Sequence, residues 1–230
     1  MRLQLENIPT HSSFVETVYT VLVDAITDGS LPPGERTTQE EIAEQLHVFR
    51  SPVLQALRLL KKDSLIEDAP GRGVQVAPLR PECVGHSYEV RGALDARLAC
   101  LAAQARVTIN TALIACRRLA SQSGGLKRII DADIEFHQAI HIASGNALIT
   151  ETAKRYWVHL RRVMGAVYRG PNQCSTIWDE HQAIAKAIGL RDAARAVLLT
   201  EQHITHAKTN LVEQLKYKLM RDFSGNASLA

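Results

Sequence analysis

The sequence predicts a mainly α-helical fold in two parts: a small head of short helices closed by a hairpin, then an antiparallel bundle of about six helices. Three observations predict it. Residues 38–77 hold two short helical patterns and a strand-turn-strand pattern in direct succession. Elsewhere apolar residues recur at helical spacing, and no strand pattern appears beyond Pro81. The composition agrees, because Ala, Leu, Glu, Gln and Arg dominate while aromatic residues make up only 5%.

Residues 1 to 12 read as a loose tail. From Phe14 to Asp28, Val15, Val18, Tyr19, Leu22, Val23 and Ile26 keep helical spacing, and Gly29 ends this support helix. Leu31-Pro32-Pro33-Gly34 is a rigid loop. Thr38 followed three residues later by Glu41 is a capping box, which opens a short helix carrying Ile42, Ala43 and Leu46. After the turn His47 to Arg50, Ser51 is expected to cap a second helix with Pro52 at its first position, where a missing N–H costs nothing. Val53, Ala56, Leu57 and Leu60 give that helix a buried stripe, and Ser51, Leu54, Gln55, Arg58 and Lys62 lie opposite. Leu65-Ile66-Glu67 and Val74-Gln75-Val76, joined by a turn with two glycines and a proline, form a hairpin with Arg72 at its tip. These are the parts of a winged helix-turn-helix, whose second helix enters a major groove, so DNA binding is the first hypothesis.

Ala-Pro-Leu-Arg-Pro ending at Pro81 is an extended hinge, which sets expected domains at 1–78 and 79–230. Beyond it the helices are expected at roughly 82–104, 108–122, 128–144, 146–168, 175–189 and 192–219. No apolar run reaches 18 residues and the first residues lack the apolar stretch of a signal peptide, so a cytoplasmic protein with no membrane partner is expected. Cys83, Cys100, Cys116 and Cys174 lie far apart without a CxxC pair, and read as reduced, mostly buried thiols rather than zinc ligands or a disulfide framework. The net charge of +3 argues weakly for a nucleic-acid partner, and residues 1–80 carry eight Lys or Arg against eleven Asp or Glu. Arg50 to Lys62, however, has four basic residues and no acid. Phosphate attraction must come from that helix and the wing, so affinity should be modest and depend on pairing two copies.

Gly29-Ser-Leu-Pro-Pro-Gly-Glu35, Ile42-Ala-Glu-Gln-Leu46, Arg50-Ser-Pro-Val53, Ala56-Leu57 and Gly71-Arg-Gly73 closely resemble, in order and without gaps, the DNA-binding domain of GntR-type bacterial transcription regulators. The resemblance implies a DNA-reading face of Arg50, Ser51, Leu54, Gln55, Arg58 and Arg72. It also has departures. Members of that family usually carry arginine at the positions of Glu40 and Leu54, serine or threonine at Phe49, and glutamate at Gln55. Losing two cationic contacts should weaken binding to the usual operator, since each bidentate base contact is worth roughly 1 to 3 kcal/mol. Leu54 can instead touch a thymine methyl, and Gln55 can pair with adenine. An atypical, two-fold symmetric operator in double-stranded DNA is expected, read by a homodimer because one head reads only a half-site. The acidic Glu40 also leaves open a head that has lost specific DNA binding.

Three of the expected bundle helices put polar residues where the apolar stripe runs. Asp133 and His137 are four apart on the face that holds Phe136 and Ile140. His181 falls in line with Ile177, Trp178, Ile184 and Ile188, and His203 stands beside Val197, Ile204 and Leu211. A lone histidine on an apolar face is usually a hydrogen-bonded core residue. Four such residues in one bundle are another matter, because burying a carboxylate and three imidazoles without a partner is costly, and a divalent metal would satisfy them all. Asp133-Ile-Glu-Phe-His137, Gly145-Asn146, Asp179-Glu-His181 and His203 resemble the effector-binding FCD domain of the FadR subgroup of the same regulators. That resemblance implies Asp133, His137, His181 and His203 as ligands of a divalent transition metal, with Zn, Ni or Mn suited to three nitrogens and one oxygen. His141 and His206, each one turn beyond a ligand, are rivals or supporting residues. Tyr88-Glu-Val-Arg91 and Leu94-Asp95 resemble the first helix of that domain, where Arg91 can clamp the carboxylate of a small effector. An ion pair from Arg91 to Asp95 is the plainer alternative. Arg161-Arg162 and Lys154-Arg155 read as solvated faces, and Trp178 as core.

The reading that follows is a homodimeric transcription regulator, not an enzyme, acting as a repressor that a small organic acid modulates at a metal-containing site. The alternatives are a metal sensor without an organic effector and a metal-dependent hydrolase with an appended DNA-binding head.

Overall fold

The computed structural model describes residues 12–105, 109, 126–168 and 175–226, which are mostly helical with one small antiparallel sheet. The chain separates into two compact units, Met1–Pro78 and Leu79–Ala230.

In the first unit α1 (Ser12–Asp28) buries Val18, Leu22 and Ile26 and packs on the helix that runs from Arg50 to Lys62. The Tyr19 hydroxyl donates to Asp63 Oδ2 at 2.7 Å. Burial and then the Asp63 carboxylate push that phenol up to about 12. The strand β1 (Arg36–Thr37) leads into α2 (Gln39–Gln45), whose capping box is complete: Thr38 Oγ1 accepts from Glu41 N–H, and Glu41 Oε2 accepts from Thr38 N–H at 2.7 Å. His47, with φ 52°, reverses the chain after α2, so that Val48 N–H reaches Ala43 O.

The helix α3 (Arg50–Lys62) begins before Ser51, with Phe49 at the cap and no side-chain bond there. The expected Ser51 cap is therefore corrected. Pro52 falls at the third position of the first turn, where an N–H has no partner within the helix either, so proline does not mark the start uniquely. Val53, Ala56, Leu57 and Leu60 are buried as their spacing requires. The wing pairs β2 (Ile66–Asp68) with β3 (Val74–Val76), and β1 adds on the far edge of β3, giving the order β1-β3-β2. Gly73 has φ +90°, and a Cβ there would stand 2.5 Å from Thr37 O, so glycine is what lets β1 approach.

The second unit is a helical bundle. Its described helices are α4 (Pro81–Gln104), α5 (Leu126–Ala143), α6 (Ala147–Val167), α7 (Ser175–Gly189) and α8 (Ala193–Asn226). The helix expected at 108–122 lies outside the described residues except for Ile109, and so does the tail expected at 1 to 12 except for Ser12, where α1 already begins. Pro81 occupies the first turn of α4, and Asn146 caps α6 by accepting from Ile149 N–H at 3.1 Å. The longest contact runs between α4 and α8.

Two apolar clusters fill the interior. One gathers Tyr88, Ile134, Trp157, Leu160, Ile204 and Leu211, and the other Leu98, Phe136, Ile140, Trp178, Ile184 and Ala196. Between them, at the level of Arg91 and Asp95 on α4, runs a buried polar layer. Two expectations fail here. Arg162 is buried on the inner face of α6 rather than solvated, and burial lowers its guanidinium to about 10, whereas Arg161 pairs with Asp131 nearer the surface. Cys83 is exposed, because it shares the outward face of α4 with Ser87 and Val90, and Cys100 is half-buried; both are free thiols. Cys116 and Cys174 lie outside the described residues. No described helix is long and apolar enough to cross a membrane.

Candidate functional site

On the head, Arg50, Ser51, Leu54, Gln55, Arg58 and Arg72 are all exposed. Leu54 and Arg58 from α3 and Arg72 from the wing line one shallow cleft of about 390 Å³ with Gln39 and Glu40 of α2; Arg50, Ser51 and Gln55 lie outside it. Glu40 Oε1 accepts from Arg72 Nη2 at 2.8 Å and from Arg50 Nη1 at 3.3 Å. Glu40's own backbone N–H, then Arg72 and Arg50, hold its carboxyl below the usual range. Sequence reasoning saw Glu40 as a missing arginine and did not see it as a partner of two others. The convergence needs the wing to fold back onto α2, which no local pattern reveals.

In the bundle, α5 carries His137, α7 His181 and α8 His203, all fully buried, and one ring nitrogen from each lies within 4.8 Å of the others. His137 Nε2 and His203 Nε2 face each other at 3.3 Å. The opposite nitrogen of each ring has a carboxylate beside it: His203 Nδ1 donates to Glu180 Oε2 at 2.7 Å, and His137 Nδ1 stands 3.5 Å from Asp95 Oδ2. Those partners assign the protons to Nδ1 and turn both Nε2 lone pairs inward. His181 stacks on Phe136 at 3.9 Å between ring centres and meets the edge of Trp178, and neither of its nitrogens has a hydrogen-bond partner. Asp133 is largely buried, its side chain 15% exposed, with Oδ1 at 3.4 Å from His181 Nε2. Burial holds the Asp133 carboxyl above its ordinary value against Arg91 and His203. Burial, then nearby cations, pushes His137 and His181 well below the usual imidazole value, so both rings are neutral at pH 7.

Arg91 lies in the same layer. Its Nε donates to Asp95 Oδ2 at 3.0 Å, its Nη2 donates to His137 Nε2 at 2.8 Å, and its guanidinium lies 4.2 Å from the Trp157 ring centre. Asp95 also accepts from His141 Nε2 at 2.9 Å. Of the two expectations for Arg91 the structure contains the ion pair with Asp95, and the remaining donor edge is turned to His137. His141 supports Asp95 from outside the group, and His206 is exposed, its Nδ1 donating to the second oxygen of Glu180 at 2.8 Å. Asp95 and Glu180 were visible in sequence only as neighbours of Arg91 and His181. Their contacts come from packing between helices.

These residues fit a divalent metal. Neutral imidazoles are ligands, carboxylates orient two of the rings, and the third ring is buried with neither nitrogen in a hydrogen bond among the described residues, at a cost that a cation removes. Two nitrogens on one tetrahedral ion at about 2.0 to 2.1 Å are about 3.3 Å apart, which is the separation of His137 and His203. Arg91 competes for the same lone pair of His137.

The family model for bacterial regulatory proteins of the gntR family matches residues 14–76, and that for the FCD domain matches residues 86–206. An uncharacterized HTH-type transcriptional regulator of Bacillus subtilis, YdhC, is 26% identical over 208 residues, 87% of this chain and 90% of that protein. The Uxu operon transcriptional regulator of Escherichia coli is 29% identical over 230 aligned residues, 86% of each. The solved structure of E. coli McbR/YncC superposes with a TM-score of 0.75 at 20% identity, over 88% of this chain and 98% of that one, a likeness of fold.

Proposed function

The chain belongs to the GntR family of bacterial DNA-binding transcription regulators, with an FCD domain behind its winged head, and from that premise we propose that it is a homodimeric repressor modulated by a small organic acid at a metal-containing site. The observation that carries the second half is the convergence of His137, His181 and His203 in a buried layer where neither nitrogen of His181 has a hydrogen bond among the described residues. In this reading Asp133 joins them as the oxygen ligand of Zn, Ni or Mn, and the bound ion supplies the positive charge that holds an effector carboxylate. Arg91 adds a second cation, with Asp95 holding its Nε and leaving the other end to turn to the acid. Asp95 and Glu180 keep the rings oriented. The head reads one half-site through Arg50, Ser51, Leu54, Gln55, Arg58 and Arg72, so two copies on a two-fold symmetric operator are needed. The effector acts only through a difference in affinity between DNA-competent and incompetent states. A cytoplasmic location accords with this role.

A metal sensor without an organic effector is favoured by one contact, the 2.8 Å bond from Arg91 to His137, which engages the arginine already. A hydrolase is not, since the relatives and the fold are those of regulators. The test is to retain sheared genomic DNA on the purified protein, sequence the enriched site, and titrate that duplex with small carboxylates on metal-loaded and metal-stripped protein. Release by an acid only when metal is present supports the proposal. Release by metal alone supports the sensor, and no enriched symmetric site would refute both.

A further inference from the structure

Glu40 sits where an acid is costly, among side chains assigned to a polyanion. Its Oε1 is shared by two guanidiniums from different elements, Arg50 at the start of α3 and Arg72 at the wing tip. The two arginines are 67% and 79% exposed while Glu40 is 34% exposed, so the carboxylate lies behind them and they close over it. Gln39 fixes the same corner by donating from Nε2 to Arg50 O at 2.7 Å. Two guanidiniums converging on one oxyanion is also how arginines hold a phosphate. The rest of the basic surface is partly countered too, since Lys61 pairs with Asp68. Arg58 and Lys62 alone among the basic residues of α3 and the wing have no ion pair among the described residues.

We propose that Glu40 is an internal anion occupying the phosphate-binding corner formed by Arg50 and Arg72, so that this head holds duplex DNA of arbitrary sequence weakly and depends on base contacts for retention. The inference rests on the reading that Arg50 and Arg72 face DNA. A phosphate entering the corner must displace the carboxylate or share both arginines with it, and two anions a few ångströms apart repel. Binding to arbitrary sequence is almost wholly electrostatic, so it bears that repulsion in full. Binding to a matched site bears the same repulsion but adds base contacts that offset it, so the ratio between the two is unchanged while arbitrary sequence falls below the affinity at which it is retained.

The test compares the full-length protein with Glu40→Gln, which keeps the side chain's size and the Thr38–Glu41 cap while removing the charge. Fluorescence anisotropy on a short labelled duplex of arbitrary sequence is read across a salt series. The expected result is binding about tenfold tighter for the variant, with a log–log salt slope steeper by about one to two, as one or two phosphates gain full contacts. Adding Arg50→Ala and Arg72→Ala should abolish that gain. An unchanged or weaker affinity for Glu40→Gln, while the arginine substitutions do weaken binding, overturns the inference and leaves the DNA face intact. A gain that survives removal of both arginines overturns it as well. If removing both arginines from the otherwise unaltered protein leaves binding unchanged, the assignment of the DNA face itself has failed.

Discussion

Asp95→Asn removes the charge on which the buried polar layer depends. Asp95 is 3% exposed and receives Arg91 Nε at 3.0 Å and His141 Nε2 at 2.9 Å, with His137 Nδ1 at 3.5 Å. Asparagine keeps the volume but leaves the buried Arg91 guanidinium without its hydrogen-bonded counter-ion, with only the more distant Asp133, and brings an NH2 against other donors. Breaking a buried pair in this way costs about 3 to 5 kcal/mol. For a unit of this size that lowers the thermal midpoint by roughly 6 to 20 °C, at about 2 to 4 °C per kcal/mol. Replacing both partners, Arg91→Met with Asp95→Leu, leaves no orphaned charge and should come within about 1 to 2 kcal/mol of the parent. The assay is thermal unfolding followed by circular dichroism in chelator, so that no metal masks the effect. A single variant that loses less than about 1 kcal/mol, or a double variant as unstable as the single, would refute the claim that Asp95 is there to hold Arg91.

Three further outcomes follow from the same geometry. In metal-stripped protein, His137 and His181 have folded pKa values well below the unfolded 6.5, so the unfolded chain binds more protons under acid; stability should be complete above about pH 6.5 and fall below it, by up to about 1.4 kcal/mol per pH unit for each ring, as denaturant melts at successive pH values would record. Stability that rises on acidification would contradict their burial as neutral rings. Gly73→Ala puts a Cβ against Thr37 O in a positive-φ position and should destabilise the head by about 1 to 3 kcal/mol, whereas Gly71→Ala, also at positive φ but with open space around it, should cost less; chemical denaturation of the two variants distinguishes them. Arg58→Ala should weaken DNA binding by about 1 to 3 kcal/mol if it touches a base, and by a uniform factor with a salt slope shallower by about one if it touches a phosphate; equal binding under all salts would remove it from the interface.

What was legible in the sequence was what local spacing governs. Thr38 and Glu41 cap α2 because both partners sit within one turn, and the stripe from Val53 to Leu60 is buried because a period of 3.6 leaves no other face for it. The start of α3 is not legible in the same way, because Ser51 and Pro52 satisfy a first turn at more than one position. The strand β1 is two residues long, too short for a pattern, and exists because Gly34 N–H bonds Val76 O and Val76 N–H bonds Glu35 O. At the candidate site, His137, His181 and His203 stand out in sequence as polar residues on apolar faces. Their carboxylates do not, because Glu180 points to His203 on another helix and Asp95 to His141 on another, and such pairings are tertiary. Arg162 was misread for the converse reason: the long stem of an arginine fits a buried face that the residue type alone does not announce.

The most direct test of the central claim is a titration of chelator-stripped protein with Zn, Ni and Mn, followed by calorimetry, alongside His181→Ala. The expected result is about one ion per chain, few released protons because His137 and His181 are already neutral, and affinity lower by at least about 10 to 100-fold in the variant. Protein that takes up no ion, or a variant that binds as tightly as the parent, would contradict it.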